Sequence, residues 1–241
     1  MTAASGIGHG SADTSAKPFP EAEGEAAYAT ALDGSPVDAF ALLPPGPGPH
    51  LIAQRLQPGS TILELGCGAG RLLRPLHEQG HKCTGVDESP EMLAKVPPGI
   101  ETIEGAIETI DLEWTYDAVI LASFLVNTPD VQRRRAFLDC AKAHAHGEIF
   151  VQRLDPELVP EAVDAESEED GVVYAMRDVQ HIGTLFQATM QFTFAETGTT
   201  YEHPYRGEVL DDTAFETTVR SVGLKVKDYL DGQRTWAVLE G

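Results

Sequence analysis

The chain has 241 residues and a formal net charge of −21 at pH 7, long enough to bury one sizeable core. That charge argues against nucleic acid as a partner, because phosphates are repelled over the whole surface. No apolar run reaches transmembrane length, the first residues lack a signal-peptide pattern, and the three cysteines (Cys67, Cys83, Cys140) are too widely spaced to pair as metal ligands. The expectation is a cytoplasmic protein with no membrane and no metal, a monomer or a homodimer.

Residues 1–20 are rich in Gly, Ser, Ala and Pro and read as a mobile tail. One domain is expected from 21 to 241. Residues 21–43 mix alanine with acids and predict one or two helices, including Val37-Asp38-Ala39-Phe40. The run Leu43-Pro44-Pro45-Gly46-Pro47-Gly48-Pro49 breaks the chain, and His50 to Leu56 predicts a helix. Then comes the most informative stretch, Ile62-Leu63-Glu64-Leu65-Gly66-Cys67-Gly68-Ala69-Gly70-Arg71. It reads as a buried strand, a glycine loop and a helix start, with Leu72, Leu73 and Leu76 at helical spacing. Without Cβ atoms, the loop lets a ligand approach the backbone. A dinucleotide fingerprint would need a glycine where Arg71 stands, and a P-loop would need Gly-Lys-Ser/Thr. Glu64, at the strand end, repels phosphate and favours a cation or a hydroxyl-rich ligand.

Lys82-Cys83-Thr84-Gly85-Val86-Asp87 reads as a second strand ending in an acid. An acid at that point accepts hydrogen bonds from ribose hydroxyls in nucleotide-binding α/β units. Ser89 and Pro90 start a helix as N-cap and first residue. Glu64-x-Gly66-x-Gly68-x-Gly70 after a strand, followed by Gly85-Val86-Asp87-Glu88-Ser89-Pro90-Glu91-Met92, resembles the first two motifs of class I S-adenosylmethionine (SAM)-dependent methyltransferases. Ile103 to Leu112 and Tyr116 to Phe124 resemble the third segment and the fourth strand with its loop. The resemblance covers about residues 50–155. It implies a Rossmann-like α/β fold: a mostly parallel seven-stranded sheet with an antiparallel last strand. It implies SAM as the cofactor, held at Glu64, Gly66, Gly68, Gly70, Asp87, Glu88, Met92, Ala106, Ile107, Leu121 and Ser123. The family places an acid directly after the third-segment glycine. This chain has Ala106 there, so adenine recognition falls to backbone around Ala106 and Ile107, or to Glu108.

Thr128-Pro129-Asp130 begins a helix whose apolar side includes Val131, Phe137, Leu138 and Ala141. Arg133-Arg134-Arg135 reads as a solvated face of that helix. Glu148 to Arg153 predicts a fifth strand. Residues 156–210 then depart from the alternation. Ala162 to Asp170 is acidic and loop-like. Phe186, Ala188, Met190, Phe192 and Phe194 alternate with polar residues, which predicts a half-buried antiparallel strand. Val172–Ile182 and Thr199–Tyr205 are its expected neighbours. This small insertion is placed to act as a lid over an acceptor pocket, its phenylalanine face turned inward. A helix from Asp211-Asp212 to Val222 and strands at Leu224–Leu230 and Arg234–Leu239 close the chain.

A base is needed only where the acceptor must lose a proton first; some members of the family this chain resembles place a histidine just after the fourth strand, but Ser123 to Asn127 carries none, so such a base would come from elsewhere. His203 is the candidate by type and position, with His181 second; Tyr28, Phe40 and Tyr205 are candidate pocket aromatics. The reading is methyl transfer from SAM to a small-molecule acceptor, releasing S-adenosylhomocysteine. The alternative is a SAM-binding protein repurposed for another reaction or without catalysis.

Overall fold

The computed structural model describes residues 28–157 and 165–241; the expected tail at 1–20 lies outside the described residues. Two short helices come first, α1 (Val37–Leu42) and α2 (Gly48–Ala53). They are followed by β1 (Thr61–Leu65), α3 (Leu73–Glu78), β2 (Lys82–Asp87), α4 (Pro90–Leu93), β3 (Glu101–Glu104) and β4 (Tyr116–Leu121). A 3-10 turn at Leu125–Asn127 leads to α5 (Val131–His144) and β5 (Ala145–Gln152). Then come β6 (Ala165–Glu169), β7 (Val172–Ile182), β8 (Leu185–Phe194) and β9 (Thr199–Glu208). The chain returns through α6 (Asp212–Ser221), β10 (Lys225–Tyr229) and β11 (Trp236–Glu240).

Seven strands form one sheet in the order β3-β2-β1-β4-β5-β11-β10. Only β11 runs against its neighbours, pairing antiparallel with both β5 and β10. The burial of β1 explains why it sits in the middle. Leu63 and Leu65 enter one core with Val119, Phe137, Leu138 and Phe215. Ile62 enters the opposite core with Ile52, Leu73, Leu76, Ile120 and Phe150. Period-two alternation of apolar residues on both faces is what a central parallel strand requires. Helices α5 and α6 cover one face; α2 and α3 cover the other. Two caps set helix starts: Asp130 accepts from the Gln132 and Arg133 amides, and Asp211 from Ala214.

The insertion is a separate four-stranded antiparallel sheet, β6-β7-β8-β9. Phe192 and Phe194 are buried against Ala39 of α1 and Leu43 just after it. The alternating face therefore turns inward, with Phe40 of α1 packed edge-on against Phe192. Three expectations are corrected. The acidic stretch from 165 to 169 is strand β6, because its backbone pairs with β7 while every side chain stays in solvent. Val131 is 53% exposed and does not join the apolar side of α5. The arginine run is a solvated face only in part: Arg133 and Arg135 are exposed, but Arg134 is 3% exposed and bonds the Thr128 carbonyl and Glu208. Among the described residues, no helix is long and apolar enough to cross a membrane.

Candidate active site

The parallel strands end on one edge of the sheet, and strand order reverses between β1 and β4. Ligands of open α/β sheets bind at that edge and at that reversal. A cavity of about 680 Å³ opens there.

Its floor is the loop after β1. The Gly66 and Cys67 amides both bond the Val86 carbonyl, at 2.8 and 2.9 Å, which ties the loop to β2. Gly66 has φ +74°, and a Cβ there would sit 2.7 Å from Leu125 Cδ1. Asp87, at the end of β2, accepts from the Gly68 amide at 2.7 Å and the Ser89 amide at 2.9 Å. Burial pushes the Asp87 carboxyl up, and these amide bonds oppose the shift. Ser89 in turn caps α4 by accepting from the Met92 amide, which seats Met92 under the loop. Glu64 is 3% exposed and its Oε2 has no partner. Burial raises its carboxyl to about 8; Arg71 opposes this and Asp87 adds to it. Arg71 spends Nη1 on the Pro44 carbonyl at 3.0 Å.

Ser123 and Phe124 leave β4 with φ of +51° and +59°. Two successive non-glycine residues in the left-handed region store strain of about 1–3 kcal/mol each. The Ser123 amide is held by Gln152 Oε1 at 2.9 Å. This turn places Ser123, Phe124 and Leu125 on the cavity wall.

The opposite wall comes from two distant segments. One is a strap, residues 28–36, closed on itself by the Thr30–Pro36 bridge. Asp33 within it accepts from the Ser35 amide and hydroxyl, both at 2.9 Å. The other is β9, which contributes His203, Pro204, Tyr205 and Arg206. Tyr28 joins them: its hydroxyl donates to the Glu202 carbonyl at 2.9 Å and accepts from the Glu202 amide at 2.6 Å. His203 is 8% exposed, beside Phe40 and Tyr205. Burial lowers its pKa, while Asp33 and a hydrogen bond to the Gly34 backbone raise it. Its Nδ1 is buried and has no hydrogen-bond partner.

Of the residues read from sequence, Glu64, Gly66, Gly68, Asp87, Glu88, Met92, Ala106, Ile107, Ser123 and His203 line this one cavity. Two fall outside it. Gly70 has φ +74° and faces Val96, so its missing side chain serves packing there. Leu121 is fully buried and points into the core shared with α5, because alternation along β4 sends it to that face of the sheet. His181 is exposed on β7. Phe40 and Tyr205 reach the cavity; Tyr28 acts from behind, on β9. Sequence reading missed Asp33, Phe124, Arg133 and Arg206. The Asp33-Gly34-Ser35 turn signal was present, but nothing local says where a turn docks. Among the described residues, no group of three His, Cys, Asp or Glu side chains is placed to share a metal ion.

Residues 62–147 match the family model described as a methyltransferase domain. No curated protein sequence matches the chain significantly. Among solved structures, the CcbJ methyltransferase from Streptomyces caelestis shares 20% identity, with 87% of this chain and 92% of that one covered and a TM-score of 0.66. A SAM-bound amino pentose methyltransferase of calicheamicin biosynthesis, from Micromonospora echinaspora, shares 19% identity over 83% and 92% at a TM-score of 0.65. A sugar N-methyltransferase from a Streptoalloteichus species shares 17% over 92% and 98% at 0.62. The fold is the class I, Rossmann-like methyltransferase fold.

Proposed function

We propose that this SAM-dependent methyltransferase, class I in fold, transfers the methyl group to a small-molecule acceptor bearing an amine. The observation that carries the reading is the division of the cavity. A glycine-and-acid floor faces an enclosed wall of Asp33, Phe40, Phe124, His203 and Tyr205. About 680 Å³ is within the usual range for small-ligand sites.

The floor fits SAM. Glu64 offers a buried carboxyl with an unpartnered oxygen to a cationic group. Asp87 offers an acid to vicinal hydroxyls, and the loop from Gly66 to Gly68 gives backbone without side chains. A phosphate would meet two acids there, and the cation of the loop, Arg71, already donates to the Pro44 carbonyl. When bound, SAM supplies a methyl group activated on sulfonium sulfur. The chain's own contribution is to orient and to move a proton. Orientation alone supplies a large part of such a reaction. His203 lines the acceptor wall, and burial lowers its pKa and favours the neutral ring that can take the proton an amine gives up. Asp33 supplies the negative charge that draws a protonated amine to this wall. The amine is also supported by two proteins of the same fold, described as an amino pentose methyltransferase and a sugar N-methyltransferase. A cytoplasmic monomer or homodimer acting on a soluble acceptor is part of this proposal.

The test is release of S-adenosylhomocysteine from SAM in the presence of small amino sugars and the matching hydroxyl sugars. Turnover with the amino compounds alone is expected. Turnover with the hydroxyl compounds moves the acceptor atom to oxygen, and SAM binding without any turnover supports the non-catalytic alternative. His203→Gln should lower turnover by roughly a hundredfold, the usual contribution of a general base, with S-adenosylhomocysteine affinity unchanged. Turnover that survives this change across the neutral pH range removes His203 from the chemistry.

A further inference from the structure

The inserted sheet is attached to the rest of the molecule at two places of different character. Away from its root it rests on apolar side chains, Phe192 and Phe194 against Ala39 and Leu43. Apolar contact is non-directional, so it holds the sheet down without fixing its angle. At the root the contacts are polar and buried. The chain leaves for the insertion after Leu154 and returns through Glu208, the last residue of β9. Asn127, which closes the 3-10 turn after β4, is fully buried between these two legs. Its Oδ1 accepts from the Leu154 amide at 2.9 Å, and its Nδ2 donates to the Glu208 carbonyl at 2.8 Å. Arg134, buried on α5, donates to the Glu208 carboxylate and to the Thr128 carbonyl. Arg153 ties the legs to each other by donating to the Leu210 carbonyl at 3.2 Å.

We propose that Asn127 is a positioning residue for the acceptor site, setting the separation between the turn after β4 and strand β9. This rests on the reading of β9 as part of the acceptor wall. The turn carries Ser123, Phe124 and Leu125 to one side of the cavity, and β9 carries His203 and Tyr205 to the other. Asn127 belongs to the turn and grips β9 at its end. An asparagine suits the task because one planar amide holds an acceptor and a donor pair at fixed spacing. The root of β9 is gripped a second time through the Glu208 carboxylate, by Arg134 and by the Thr184 hydroxyl. His203 lies on the same strand, about 17 Å from Glu208 at the rise of an extended chain. Over that lever a tilt of about 5° at the root moves His203 by about 1.5 Å, and a misplacement of about 1 Å can cost roughly a hundredfold in rate. The turn keeps its own shape without the Asn127 side chain, through the Asn127 amide on the Phe124 carbonyl and the Ser123 amide on Gln152. Asn127 does not line the cavity, so it acts through β9.

The test places spin labels at two exposed positions, Lys82→Cys on the main sheet and Glu196→Cys at the tip of the insertion, and reads their separation by double electron–electron resonance. The native cysteines are buried. With Asn127 in place the distance distribution should be narrow. Asn127→Ala should shift or broaden it by about 2–3 Å, the same tilt of about 5° read over the length of β9. Asn127→Asp keeps an acceptor for the Leu154 amide and loses the donor to Glu208; it should show a smaller change, and it serves if the alanine variant does not fold. Both variants should bind S-adenosylhomocysteine as the wild type does in calorimetry. With an amino sugar that the wild type methylates, both should lose roughly tenfold to a hundredfold in kcat, with a smaller rise in KM. A merely structural role would weaken cofactor binding along with turnover and leave the distances of the folded protein unchanged. Unchanged distances in both variants, or an equal loss of cofactor affinity, overturn the proposal. Altered distances with turnover intact remove β9 from the acceptor wall, which is the failure of that reading and not of the grip on β9.

Discussion

The two halves of the cavity are assembled by different means. The cofactor half is made of short contiguous pieces, residues 64–71, 87–92 and 105–108, each at the end of a strand whose position the parallel sheet dictates. The acceptor half is made of a strap and a strand that lie far apart in the chain; Tyr28 and Glu202, which join them, are separated by 174 positions. A site of the first kind depends on backbone conformation and is damaged by changes to single glycines or acids. A site of the second kind depends on docking, and single changes there should loosen it without destroying it.

The largest expected effect is on the first kind. Gly66→Val must adopt φ +74° and place a Cβ 2.7 Å from Leu125. Left-handed backbone costs a β-branched residue at least about 1–2 kcal/mol, and the clash lies in the cavity wall. Binding of S-adenosylhomocysteine should fall below detection in calorimetry, while the circular dichroism spectrum stays native. A variant that binds normally would mean that the loop does not meet the ligand. Asp87→Ala comes next. It removes the acceptor for the Gly68 amide as well as the charge offered to the ribose. Charge-assisted bonds contribute about 1.5–3 kcal/mol each, so affinity should drop roughly tenfold to a hundredfold. Unchanged affinity would move the ribose elsewhere.

These expectations also explain which features could be read from sequence. Glycine spacing, an acid closing β2 and the cap-and-proline start of α4 are local signals, because each encodes backbone geometry within a few residues. They single out Glu64, Asp87 and Met92, which line one cavity. The period-two pattern of β8 was equally legible, since burial of one face enforces it. What covers that face was not: Ala39 of α1 and Leu43 just after it do, a pairing with no trace in either segment. The arginine run shows the limit from the other side. Three adjacent cations on a helix point in three directions, so Arg133 reaches the cavity rim, Arg134 is buried against Glu208 and Arg135 faces solvent. Charge alone could not separate them. Gly70 shows that a motif position can serve packing, here against Val96, while Gly66 and Gly68 line the cavity.

A pH series sharpens the comparison within the cofactor half. Burial raises the Glu64 carboxyl to about 8, so the folded protein holds a proton that the unfolded chain releases near the ordinary glutamate value. The stability this proton contributes is fully present below the unfolded pKa and is lost as pH rises through about 8. Glu64→Gln keeps the shape and removes the proton. Urea unfolding of the wild type should therefore show stability falling across that window, and Glu64→Gln should be flatter. Ligand binding should run the other way. The ionised carboxylate attracts the cationic end of SAM, so wild-type affinity rises as pH approaches 8 and the variant's does not. Parallel pH curves for the two proteins would show that Glu64 is not the group that titrates. His203 contributes with the opposite sign in stability. Its folded pKa is lowered, so its contribution is complete above the ordinary histidine value and is lost as pH falls through that range.

The smallest effect is the one that separates the two halves most cleanly. Tyr28→Phe keeps the ring against Tyr201, 5.0 Å away, and removes only the hydroxyl that bonds Glu202 on both sides. The site is exposed, so water can take over part of those bonds, and the net cost is about 0.5–1.5 kcal/mol. For a chain of this length that corresponds to a melting shift of roughly 2–4 °C for each kcal/mol. The loss falls on the strap, which otherwise rests on backbone bonds such as Val37 to the Ala29 carbonyl. A looser strap spends less time with Asp33 and Gly34 beside His203. The acceptor KM should therefore rise by about twofold to tenfold, the same free energy read through binding. Affinity for S-adenosylhomocysteine should stay constant, because nothing between Glu64 and Met92 depends on Tyr28. An equal weakening of both ligands would show that the strap closes over the whole cavity, and that the two halves act as one.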